Sequence, residues 1–177
     1  MNSRFGIVAL GLMLSMPAVA AGVKQEQPQH AASLPPASAY YADACADHWG
    51  VPRELMRAIM LHESGGNPRV VSTINKDRSK DGQGLMQLLP GTAAHYGVRN
   101  TFSPGDNACG GAHYLSDLIH EFGDLREVVA AYYCGEHHIE RRGLHYSNPE
   151  VVAYVKRIRA LYIQELKKEG HYESISW

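Results

Sequence analysis

From Pro52 onward apolar residues recur at helical spacing, with Leu55, Met56, Ile59 and Met60 on one face and Gly65-Gly66 ending the run. Pro52 suits a first helical position, and a short helix over 39–49 is set off from it by Gly50-Val51-Pro52. The period then changes. Val70, Val71 and Ile74, the polar run 75–83 and Gly84-Leu85-Met86-Gln87 predict a small β-hairpin with an exposed tip. Helical spacing returns in a short segment over 90–96. A longer helix opens at Pro104-Gly105-Asp106, carries Ala112, Leu115, Leu118, Ile119 and Phe122, and stops at Gly123. A further helix starts at Asp124, with Leu125, Val128, Val129 and Tyr132 along its apolar side. The last, from about Asn148, places Val151, Val155, Ile158, Tyr162 and Leu166 on one side and Lys and Arg on the other. The pattern predicts a mainly α domain with one small hairpin.

Composition sets the limits of that domain. Arg4, the apolar stretch from Gly6 to Met16 and Ala18-Val19-Ala20 read as a signal peptide over 1–20, so export is expected. The apolar stretch is too short for a stable bilayer span, and no membrane span is expected after cleavage. Residues 21–38, rich in Gln, Pro, Ala and Ser, read as a disordered leader. The folded domain is expected over 39–170, with 171–177 as a tail. With 17 Lys+Arg against 18 Asp+Glu, interspersed, the chain offers no basic stripe, which argues against nucleic acid as a partner. Three cysteines, Cys45, Cys109 and Cys134, fall in the exported part, where a disulfide persists.

The candidate chemistry sits where the second helix ends. Glu63 lies four residues after Ile59 and seven after Met56, so it continues the apolar stripe and is expected to point inward. A carboxyl facing a partly apolar wall loses hydration in its charged form. Its pKa rises, and near neutrality it can donate a proton to a leaving group.

Four blocks surround that acid in order: Glu63-Ser64-Gly65-Gly66-Asn67-Pro68; Gly84-Leu85-Met86-Gln87 with Pro90-Gly91-Thr92-Ala93; Gly111-Ala112-His113-Tyr114-Leu115; and Ala130-Ala131-Tyr132 with Gly135. Together, from about Tyr40 to Ile163, they resemble the catalytic domain of soluble lytic transglycosylases. The resemblance implies a mainly α, lysozyme-like (α+β) fold, with the hairpin beside an active-site cleft. It also implies non-hydrolytic cleavage of the β-1,4 bond between N-acetylmuramic acid and N-acetylglucosamine in peptidoglycan glycan strands, in the periplasm, by a monomer without a cofactor. On that resemblance Glu63 is the single general acid and base, and the product carries a 1,6-anhydromuramic acid end. Gln87 resembles the sugar-contacting amide, Tyr132 the hydroxyl aimed at the catalytic carboxyl, and Ser72 the serine that binds an acetamido group. The alternatives are a hydrolytic muramidase on the same fold and a non-catalytic wall-binding scaffold.

The sequence departs from that family at two places. The usual Ala-Tyr-Asn-Ala-Gly is here Ala131-Tyr132-Tyr133-Cys134-Gly135, which puts a ring where an amide is usual and a thiol where a small side chain is usual. The stretch from Ser72 to Gln87 is long, and its polar tip resembles that of transglycosylases attached to secretion or conjugation machines, which would be further partners. With Cys134 inside the site motif, Cys45 with Cys109 is the preferred disulfide, although sequence alone leaves the pairing open. Asn75, Asp77, Ser79 and Asp81 alternate as in a calcium loop, but Lys80 replaces its glycine and Met86 its final glutamate. Cys134, His137, His138 and His145 lack a second paired ligand motif for zinc. Tyr96 and Tyr133 are candidates for stacking on sugar faces.

Overall fold

The computed structural model describes residues 33–72, 81–143 and 148–171. The expected signal peptide, most of the expected leader, residues 73–80 of the expected hairpin tip, His145 and nearly all of the expected tail lie outside them. The described chain forms α1 (Pro36–Trp49), α2 (Arg53–Ser64), α3 (Pro90–His95), α4 (Pro104–Phe122), α5 (Leu125–Cys134), α6 (Glu136–Arg142) and α7 (Pro149–Lys168). No helix among the described residues is long and apolar enough to cross a membrane.

The helix ends follow local chemistry. Gly65 closes α2 in the left-handed region at φ 61°, which costs glycine nothing. Ser103, Asp124 and Asn148 cap α4, α5 and α7 by accepting backbone N–H groups of the first turn. Two boundaries differ from the sequence pattern. Helix α1 starts at Pro36, three residues before Ala39, because Pro35 and Leu34 pack at Gly66 and the buried Ser38 hydroxyl donates to the Gly66 carbonyl at 2.7 Å. Helix α6 was not expected, since its one buried apolar residue, Ile139, gives no periodicity to read.

Five helices pack in a closed cycle, α1 on α4, α4 on α5, α5 on α7, α7 on α2 and α2 on α1. Leu55, Met56 and Ile59 of α2 meet Leu115 and Leu118 of α4, Val128 and Val129 of α5 and Ile158 of α7 in one core, all without solvent exposure. Each such side chain contributes about 1.5–3 kcal/mol relative to exposure. Cys45 of α1 is bonded to Cys109 of α4, with Cα atoms 4.8 Å apart, while Cys134 is a buried free thiol. At the rim Arg57 of α2 joins three elements: its guanidinium donates to both carboxylate oxygens of Asp43 in α1 at 2.6 Å and to Glu169, just past α7, at 2.6 Å.

The expected hairpin is reduced, among the described residues, to two single antiparallel bridges, Val71 with Gln83 and Gln83 with Leu88. Between them the chain from Gly84 to Gln87 dives into the core, with Leu85 and Met86 fully buried. Helix α4 makes room for it: a Cβ on Gly111 would stand 2.7 Å from the Met86 side chain. Asp81, read from sequence as part of an exposed tip, is 2% exposed.

Candidate active site

The last turn of α2 delivers Glu63 to the side facing α7 and α5. Its carboxylate Oε1 accepts a hydrogen bond from the Tyr154 hydroxyl at 2.5 Å, its one hydrogen-bond partner among the described residues. Burial pushes the Glu63 carboxyl up to about 7, with the Tyr154 hydrogen bond pulling the other way. Burial and the nearby Glu63 charge in turn hold the Tyr154 and Tyr132 phenols well above the usual tyrosine value. A carboxyl poised near neutrality is half acid and half base, which suits a group that gives a proton and takes one back.

The residue after the acid ties α2 to the buried loop, because Ser64 Oγ donates to the Leu85 carbonyl at 2.8 Å and accepts from Gly66 N–H. The loop is then pinned from two further helices. Asn107 of α4, fully buried, accepts from Met86 N–H at 2.7 Å and donates to the Gln83 and Thr101 carbonyls at 2.9 Å. Tyr132 of α5 donates to the Met86 carbonyl at 2.7 Å. With Met86 held at both its N–H and its carbonyl, Gln87 is forced to φ 48°, the only non-glycine at positive φ among the described residues. Its side-chain amide donates to the Val70 and Gly84 carbonyls at 3.1 and 2.8 Å. Ser72 closes the base of the loop, its Oγ accepting from Gly82 N–H at 2.7 Å.

The side chains named from sequence are thus distributed over one assembly. Gln87, Tyr132 and Ser72 hold or border the Gly82–Leu88 loop. Tyr132 aims its hydroxyl at the Met86 carbonyl, not at the Glu63 carboxyl, and the hydroxyl that meets Glu63 is that of Tyr154. Two positions were missed. Tyr154 shares the buried face of α7 with Val151 and Ile158, yet the neighbouring Val155 fits the same stripe and was read in its place. Asn107 is a lone amide in a helix of small and apolar buried residues, a signal the sequence did carry. Tyr96 packs between His113 and Tyr114 and donates to Asp117, and Tyr133 stacks on Tyr154. Among the described residues no group of three His, Cys, Asp or Glu side chains is placed to hold a metal ion.

A family model described as the Transglycosylase SLT domain matches residues 40–151. The transglycosylase of Enterobacteria phage PRD1 is 34% identical over 92 residues, covering 52% of this chain and 32% of the phage protein. The soluble lytic murein transglycosylase of Escherichia coli K12 is 32% identical over 93 residues, covering 47% of this chain and 14% of its own length. In structure the chain is similar to the lytic transglycosylase Slt of Pseudomonas aeruginosa, with TM-score 0.66 and 21% identity over 78% of this chain and 25% of that one. The shared fold is the mainly α, lysozyme-like one expected from sequence. This chain spans a third or less of the length of each of these three proteins. The matched segment takes in Glu63, Gln87, Asn107 and Tyr132 and stops just before Tyr154. Since that segment is more than half of the chain, the protein belongs to the Transglycosylase SLT domain family.

Proposed function

We propose that this protein is a peptidoglycan lytic transglycosylase in which Glu63 acts alone as general acid and then general base. The observation that carries this reading is one carboxyl, half-buried beside a tyrosine hydroxyl and raised to about 7, at the end of an amphipathic helix in a chain of this family.

In the first half-reaction protonated Glu63 gives its proton to the glycosidic oxygen, and the bond from C1 of N-acetylmuramic acid to that oxygen breaks. The sugar's own N-acetyl group stabilises the cationic C1, one of the recognised alternatives to a second protein carboxylate. In the second, the 6-hydroxyl oxygen bonds to C1 and its proton passes to ionised Glu63. The acid is regenerated, no water is consumed, and the muramic residue leaves as a 1,6-anhydro sugar. The Tyr154 hydrogen bond favours the ionised state between the two halves, while burial favours the protonated state that begins the cycle.

Gln87, Ser72 and Tyr132 belong to the substrate-binding side of this reading. Both Gln87 amide hydrogens point at loop carbonyls, so its Oε1 remains to accept from a sugar hydroxyl or acetamido N–H. On this reading residues 1–20 are a signal peptide, the folded unit ends near 170, and the protein acts in the periplasm, where peptidoglycan lies, as a monomer, with any secretion or conjugation machine as a recruiting partner. The test is mass spectrometry of purified sacculi digested with the protein. Anhydromuramic ends support the reading, and reducing ends would instead assign a hydrolytic muramidase.

A further inference from the structure

Tyr154 reaches Glu63 with a ring that is held from two sides. His62 meets it edge-on at 5.0 Å with the planes 72° apart, and Tyr133 of α5 stacks on it at 4.5 Å with the planes 27° apart. The two adjacent tyrosines of α5 therefore serve different neighbours. Tyr132 turns to the Met86 carbonyl and Tyr133 to the ring of α7. A tyrosine hydroxyl is aimed by its ring, and a stacked partner restricts the rotation that would swing the hydroxyl off its acceptor.

Resting on the reading of Glu63 as acid and base, we propose that Tyr133 is a positioning residue: its ring holds the Tyr154 hydroxyl on the Glu63 carboxylate without itself touching the reacting atoms. Among the described residues the titratable groups around Glu63 are Tyr154 from α7, Tyr132 from α5 and His62 beside it on α2. Of these, Tyr154 alone donates to the carboxylate among the described residues. Asp43 of α1 and Glu165 and Glu169 at the far end of α7 face Arg57. The sign follows. A hydrogen bond to the ionised form keeps the Glu63 pKa below the value that burial alone would set, so a loosened Tyr154 raises it.

The experiment is the pH dependence of kcat/KM on soluble uncrosslinked glycan strands, which reports the free enzyme's acid. Tyr154→Phe is expected to raise the midpoint of the alkaline limb by about one unit, the size of one hydrogen bond to a charged group. Tyr133→Leu and Tyr133→Ala are expected to move it part of the way, by about half a unit, while Tyr133→Phe keeps the stack and the original midpoint. Tyr133→Leu should add nothing in a Tyr154→Phe background, because both act through one hydroxyl. Leucine keeps apolar bulk, so the test survives if the alanine variant unfolds. A raised KM with an unmoved midpoint would make Tyr133 a substrate contact and overturn the inference. A downward shift in Tyr133→Leu would assign it to excluding water, and would overturn it equally. Glu63→Gln is run alongside: cleavage by that variant rejects the acid–base reading itself, whereas its inactivity with unmoved Tyr133 midpoints rejects only the role of Tyr133.

Discussion

A carboxyl that titrates near 7 in the fold and near 4.5 in an unfolded chain makes stability depend on pH in a definite direction. The native state holds this proton more tightly. Below about 4.5 both states are protonated and nothing is lost; between 4.5 and 7 stability falls as pH rises; above 7 the full cost of the buried charge is present. That cost is on the order of 3 kcal/mol. Glu63→Gln removes it, so thermal unfolding should show the variant matching the native chain near pH 4 and melting several degrees higher near pH 8. Equal melting curves at both values would mean that the carboxyl is hydrated in the fold. On the proposed mechanism the same protonation sets activity: cleavage should decline as pH passes through about 7, because bond breaking would need the acid form.

At the scale of elements, the buried loop matters as much as the acid helix, and Asn107 is its anchor. Asn107→Ala would leave Met86 N–H and the Thr101 carbonyl without their partner, and the Gln83 carbonyl with only the Leu88 N–H. At about 1–3 kcal/mol per unsatisfied buried group, a loss of at least about 2 kcal/mol is expected by urea unfolding, with Asn107→Asp recovering only the acceptor half. A loss below about 1 kcal/mol would show that water or backbone adjustment replaces the amide. What the sequence disclosed follows the same lines. The α2 stripe is a strong signal, since its apolar positions and the Gly65 stop agree, and they locate the inward face that Glu63 shares. Loop Gly84–Gln87 reads from sequence as half of a hairpin because its burial depends on space left for Met86 by Gly111 in a distant helix, which no local pattern records. Tyr154 was hidden by register: on α7 both it and Val155 lie within the apolar arc, and only the packing against α2 and α5 selects the tyrosine.

At the scale of the whole molecule, the cycle of five helices is held by a covalent tie and an ionic one. Cys45–Cys109 joins α1 to α4 across 64 residues of sequence, and Arg57 joins α1, α2 and the end of α7. Replacing both bonded cysteines by alanine should cost about 2–4 kcal/mol, seen as a lower melting temperature, while the native chain should lose a similar amount when reduced. Cys134, buried and with its thiol pushed up to about 11, should react with a thiol probe only at the rate of unfolding. Fold class and the order of the helices other than α6 were legible because helix starts, glycine stops and apolar stripes agree along the chain. The meeting of α2, α5 and α7 around one carboxyl is a tertiary fact, and sequence pointed to its members without pairing them. The most direct test of the account is the clearing of purified sacculi by Glu63→Gln at pH 6, with folding verified by its melting curve. The account predicts a folded protein whose lysis falls by at least about 100-fold; a folded variant that clears sacculi at the native rate would contradict it.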